Sequence, residues 1–167
     1  MEEGALGTRS HMGYPYSIPG DRRPIPVSSS AMLEIRNTMY SIHSWLRYAV
    51  FLLGLAAFGY ALWGLVKKRP YQKRMWDLAS AFTFSLYLQI VIGFFLIFST
   101  TNRFLDRSLG VHMVLSMVAA VVAQMTYSTN RRRLRAERTY GVHVWGAGLA
   151  LALVVAGILI IRESIFG

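Results

Sequence analysis

The sequence predicts an all-α fold: an integral membrane four-helix bundle, up-down-up-down, with both termini outside. Three observations predict it. Of 167 residues, 54% are hydrophobic and only 16% charged, with a mean hydropathy of +0.37. The apolar residues are blocked into four uninterrupted stretches, each close to the ~20 residues that a helix needs to cross a bilayer core. Short basic segments alternate with those stretches, as topology determinants do. Unbroken apolar runs of this length fit helices and not the alternating strands of a barrel.

Residues 1–31 differ in character from the rest. Pro15, Pro19, Pro24 and Pro26, with several Gly and Ser, cannot bury enough surface to order alone. This segment is expected to be a disordered leader or a remnant of cloning, the run Gly7 to Met12 having that look, so His11 is left out of site reasoning. Residues 32–167 form the membrane domain, with 32–38 as an interfacial lead-in. The first span covers about residues 39–66 and is long enough to tilt or project. The second covers 76–98, the third 109–127 and the fourth 142–161. None has the position or small-residue cleavage site of a signal peptide.

Charge orients the bundle. Lys67, Lys68, Arg69, Lys73 and Arg74 follow the first span, and Arg131, Arg132, Arg133, Arg135 and Arg138 follow the third. With Asp77 and Glu137 included, that side carries a net +8 of the total +10. The positive-inside rule places both loops in the cytoplasm. Trp63, Trp76 and Trp145 fall at the same inner boundary, where indoles favour the headgroup level.

Several function classes are excluded. The chain has no cysteine, which removes disulfides, iron–sulfur clusters, thiolate zinc sites and cysteine nucleophiles together. The net positive charge belongs to topology and anionic-lipid contact. Arg131 to Arg138 lacks the interleaved aromatics of a single-strand binder, so no nucleic acid partner is expected. No nucleophile–base set, phosphate loop or pair of carboxylates lies at depth, and the broken helices and intramembrane acids of transporters are missing.

Polar side chains inside spans are costly and therefore the functional candidates. His43, Arg47, Gln89, His112, Ser116, Gln124 and His143 form that set. His43 and His112 each lie roughly 5 Å inside the outer boundary, at ~1.5 Å rise per residue. Their spans run in the same direction, and helices 1 and 3 of such a bundle are diagonal. Two imidazoles at one level can supply both axial ligands of a haem iron. Arg47, four residues after His43 and on its face, can neutralise a propionate or snorkel to headgroups. Gly54, Gly93 and Gly110 offer room nearby. Gln89, roughly 14 Å from the outer face, serves as helix–helix glue to Ser116 or sits beside a quinone. His143 and Met125 are weaker inner-side candidates, as ligands of a second haem. Gly141, Gly146, Gly148, Ala150, Ala152 and Gly157 give the fourth helix a small face for close packing, within the bundle or against another subunit. The plain alternative for each histidine is an interfacial residue bonded to backbone or lipid.

The string His43-Ser44-Trp45-Leu46-Arg47-Tyr48 opens the first span. Gln89-Ile90-Val91-Ile92-Gly93 lies in the aromatic-rich second, and His112 opens the third. Together these resemble small bacterial four-helix proteins labelled cytochrome b-like, over about residues 39–161. The resemblance implies a multi-pass protein of a bacterial inner membrane that binds haem b or works with quinol. It implies His43 and His112 as the matching ligand positions and Arg47 as the matching cation. The chain departs from the cytochrome b561 pattern, which carries two histidines on each paired ligand helix, so a two-haem relay is not expected.

Three functions remain open. One is an electron-transfer subunit with one haem b, linked to quinol. Another is a cofactor-free accessory subunit of a larger membrane assembly, with a membrane-protein partner or a second copy. The third is a (bacterio)chlorophyll-binding subunit, which needs one histidine per pigment.

Overall fold

The structure is a computed structural model that describes residues 27–99, 107–134 and 137–166. Four helices follow one another: α1 (Val27–Val66), α2 (Lys73–Phe98), α3 (Arg107–Arg132) and α4 (Tyr140–Phe166). Each is long and apolar enough to cross a membrane. The shortest have 26 residues, about 39 Å at ~1.5 Å per residue, which exceeds a hydrocarbon core of ~30 Å.

The helices extend past the apolar runs that predict them. α1 starts at Val27, so residues 27–31 of the expected leader are helical; the rest of that leader lies outside the described residues. Hydropathy marks only the stretch that meets lipid, whereas a helix continues until a breaker stops it. Pro26 precedes Val27 and no proline follows until Pro70. At its other end α1 closes in a Schellman motif: Arg69 N–H donates to Gly64 O at 3.0 Å and Lys68 N–H to Leu65 O at 3.1 Å. Lys68 takes the left-handed position with φ 47°, which glycine normally fills.

Helix neighbours form a closed ring. α1 packs on α2 and α4, and α3 packs on the same two, while the backbones of α1 and α3 do not approach each other. They are the diagonal pair. Hairpin connections place the α1–α2 and α3–α4 junctions at one end, where Tyr71 meets His143 and Arg138 lies over Trp76. Both basic segments are therefore at that end.

Small residues set the spacing. Ala57 and Ala61 of α1, Ala79 of α2, Ala119, Ala120 and Ala123 of α3, and Ala147 and Ala150 of α4 are all buried. Lipid gives no hydrophobic drive for helix association, so close backbone approach and dispersion contacts must supply it. The small face of α4 is used inside the bundle. Gly146 leaves space that Thr126 occupies, and a Cβ on Gly148 would stand 3.1 Å from the Phe58 ring. Large apolar side chains cover the outside instead, among them Leu52, Phe84, Val91, Val121 and Trp145. That inversion of the usual pattern is what a bilayer solvent requires.

Candidate cofactor site

At the end remote from the basic junctions, the four helices contribute to two histidine contacts, one between α1 and α2 and one between α3 and α4. His43 comes from α1, Gln89 and Gly93 from α2, His112 from α3 and Gly157 from α4. Both histidines are half-buried, and His43, His112 and Arg47 are near enough for their charges to act on one another.

His112 is held in a defined tautomer. Its Nδ1 lies 3.0 Å from the backbone carbonyl of Gly157. A carbonyl only accepts, so Nδ1 carries the proton and Nε2 keeps the lone pair. Imidazole ligands of metals are oriented in this way, by a backbone acceptor on the other nitrogen. The approach depends on glycine: a Cβ at 157 would stand 3.1 Å from Nδ1.

His43 is engaged differently. Gln89 Nε2 donates to the His43 carbonyl at 3.1 Å and lies 3.2 Å from His43 Nε2. The first contact fixes the carboxamide with its NH2 toward α1, so His43 Nε2 accepts and the proton sits on Nδ1. That Nδ1 and Gln89 Oε1 are both buried without a hydrogen-bond partner. Gly93 makes room for the ring, since a Cβ there would lie 3.3 Å from His43 Cε1. The two histidines thus share a pattern, each seated on a glycine of the next helix in the chain.

Other candidates fall as follows. Arg47 is half-buried and its guanidinium carbon lies 5.1 Å from the Tyr48 ring centroid. Gln89 bonds His43 and not Ser116. Gln124 donates to Ser128 of its own helix at 3.2 Å, so it does not join helices. Gly54 packs near Phe82 and Leu151, and Gly110 has open space around it. Among the described residues no three His, Asp or Glu side chains converge as a metal site.

Comparison with known families, with curated proteins and with solved structures finds no match. The chain is a small four-helix membrane protein.

The inner-side pair separates. Met125 is 63% exposed and His143 only 1%, so the thioether faces outward and the imidazole inward. His143 Nε2 instead lies 2.9 Å from Tyr71 Oη and 2.9 Å from Asn130 Nδ2. Thr139 N–H donates to Asn130 Oδ1 at 3.4 Å, which orients the amide with its NH2 toward the ring. Burial pushes the Tyr71 phenol above its ordinary 10.0, so it stays a donor. Nearby, Tyr140 accepts from Gln72 N–H at 3.1 Å and donates to Pro70 O at 3.2 Å, and Tyr60 donates to Gln72 Oε1 at 2.7 Å. These bonds tie the α1–α2 junction to α3 and α4.

Sequence reasoning missed Tyr71 and Asn130. Both lie in the segments assigned to basic loops, where polar residues are unremarkable. One signal was present: a histidine two residues inside a span needs partners, and the adjoining junctions are where they can come from.

Proposed function

We propose that this chain is an electron-transfer subunit holding one haem b, with His112 and His43 as axial ligands. The observation that carries the proposal is the His112 Nδ1–H bond to Gly157 O, which leaves Nε2 with its lone pair on the helix diagonal to the one bearing His43. His112 fits an iron ligand as it stands. His43 fits once the Gln89 carboxamide releases its Nε2. Arg47, within electrostatic reach of both imidazoles, supplies a cation for a propionate. The bound haem would supply one-electron chemistry; the protein holds it, sets its polarity and excludes water. The likeness of the His43 to Tyr48 string to cytochrome b-like proteins points the same way, as does a quinol as electron source. Positive-inside orientation would put this site at the outer side of the membrane.

A cofactor-free accessory subunit is the second reading. It is favoured by the bonds of Gln89 to His43, which occupy the very nitrogen that iron requires. A pigment-binding subunit needs only one of the two histidines. Variants separate these. His43→Ala and His112→Ala should each abolish low-spin haem in the purified protein while leaving the bundle inserted and monodisperse. Retention of low-spin haem by both variants sinks the bis-histidine assignment.

A further inference from the structure

The basic end of the bundle holds a cation that the fold leaves incompletely paired. Arg138 lies between α3 and α4 and is half-buried. Its guanidinium carbon is 5.3 Å from the centroid of Trp76, and Trp76 in turn packs on Tyr127 at 4.5 Å between centroids. One Nη donates to Arg131 O at 3.4 Å, near the carboxyl end of α3. Nε is buried and has no hydrogen-bond partner. A guanidinium cannot shed its proton to relieve that cost.

Among the described residues no carboxylate pairs with it. Among the described residues, the ion pair at this end joins Lys73 to Asp77 at 2.9 Å, one turn apart on α2. Glu137 is exposed and contributes its backbone N–H to Leu134 O. The amino end of α2 adds to the positive field: Gln72 gives no side-chain cap and the first turn has no acidic residue. Trp76 lies one turn into that helix, so the guanidinium over its ring sits toward the amino end of α2, the positive pole of its dipole. The guanidinium is a planar fork of donors, which suits forked recognition of a phosphate.

We propose that Arg138, Trp76 and the amino end of α2 form a binding site for the phosphate of an anionic phospholipid. Its position at the junctions of membrane-spanning helices puts the site at headgroup depth, and its charge selects against zwitterionic lipid. The site is independent of any haem.

The test uses the full chain with Trp45→Phe, Trp63→Phe and Trp145→Phe, so that Trp76 alone reports. It is placed in phosphatidylcholine bilayers containing a small fraction of brominated phosphatidylglycerol or, separately, brominated phosphatidylcholine. Brominated phosphatidylglycerol should quench Trp76 with about fivefold preference, the factor for ~1 kcal/mol per basic residue at the surface. Arg138→Gln should bring the two lipids close to parity, and Arg138→Lys should keep part of the preference. Where a variant fails to fold, lipid retained by the wild-type chain in native mass spectrometry reads the same selectivity. Equal quenching by both lipids overturns the proposal, as does an unchanged preference in Arg138→Gln. Loss of the preference on adding inorganic phosphate, but not chloride of equal ionic strength, overturns it too and assigns a free anion to the site.

Discussion

His112 Nδ1 lies 3.0 Å from the carbonyl oxygen of Gly157, and this single bond decides which imidazole nitrogen of His112 keeps its lone pair. It requires α3 and α4 to approach closely, which they do along most of their length. A side chain at 157 would intrude, because its Cβ would stand 3.1 Å from Nδ1. Gly157→Leu should therefore tilt the ring and weaken cofactor retention well before it unfolds the bundle. Its cost in thermal stability should resemble overpacking, about 1–3 kcal/mol. Haem-to-protein ratio and unfolding temperature, measured on one sample, check both parts.

In the haem proposal Gln89 and the iron would compete for one nitrogen, His43 Nε2. Gln89→Leu removes the amide that holds His43 Nε2 and discards an unpartnered Oε1. Two contacts to His43 are lost, each worth about 0.6 kcal/mol by membrane double-mutant cycles. The variant should be slightly less stable as the apoprotein and should take up added haemin faster than the wild type. Stopped-flow absorbance reads the rate. An uptake rate equal to or slower than wild type would remove Gln89 from this role.

Much of this was legible in the sequence, and the part that was not has a physical reason. The four spans follow from hydropathy, and counting residues from their outer ends puts His43 and His112 at one level. Side-chain partnership is different, because it depends on how each helix is rotated about its axis. In lipid both faces of a helix are apolar, so no amphipathic stripe reveals that rotation. Hence Gln89 meets His43 and not Ser116, and Met125 faces outward while His143 faces inward. Asn130 was obscured because α3 continues to Arg132, beyond the end of its apolar run near Tyr127.

Tyr71 gives the inner end a pH dependence. Burial raises its phenol above 10.0, so the folded chain holds that proton more tightly than the unfolded one. The sign follows from linkage: the contribution is complete below the unfolded value of about 10 and declines as pH rises through the higher folded value. Stability should thus fall as pH rises above about 10 in the wild type and fall less in Tyr71→Phe. The same variant should cost about 1 kcal/mol at neutral pH through the bond lost to His143. Thermal unfolding in detergent across that pH range provides the comparison.

Lys68 occupies a backbone region built for glycine, at φ 47°. A left-handed conformation costs an L-residue roughly 1–2 kcal/mol. Lys68→Gly should raise the unfolding temperature, with the flexibility that glycine adds to the unfolded chain offsetting part of the gain. A variant that lowers it would show that the Lys68 side chain contributes more than its backbone geometry takes away.

The reduced-minus-oxidised absorbance spectrum of the purified wild-type chain, with a pyridine haemochrome assay on the same preparation, tests the haem proposal most directly. A sharp low-spin b-type band at about one haem per chain is the predicted result, two imidazoles filling both axial positions of one iron. A preparation that stays colourless when offered haem contradicts it and leaves the accessory-subunit reading; a long-wavelength chlorin band contradicts it in favour of pigment ligation.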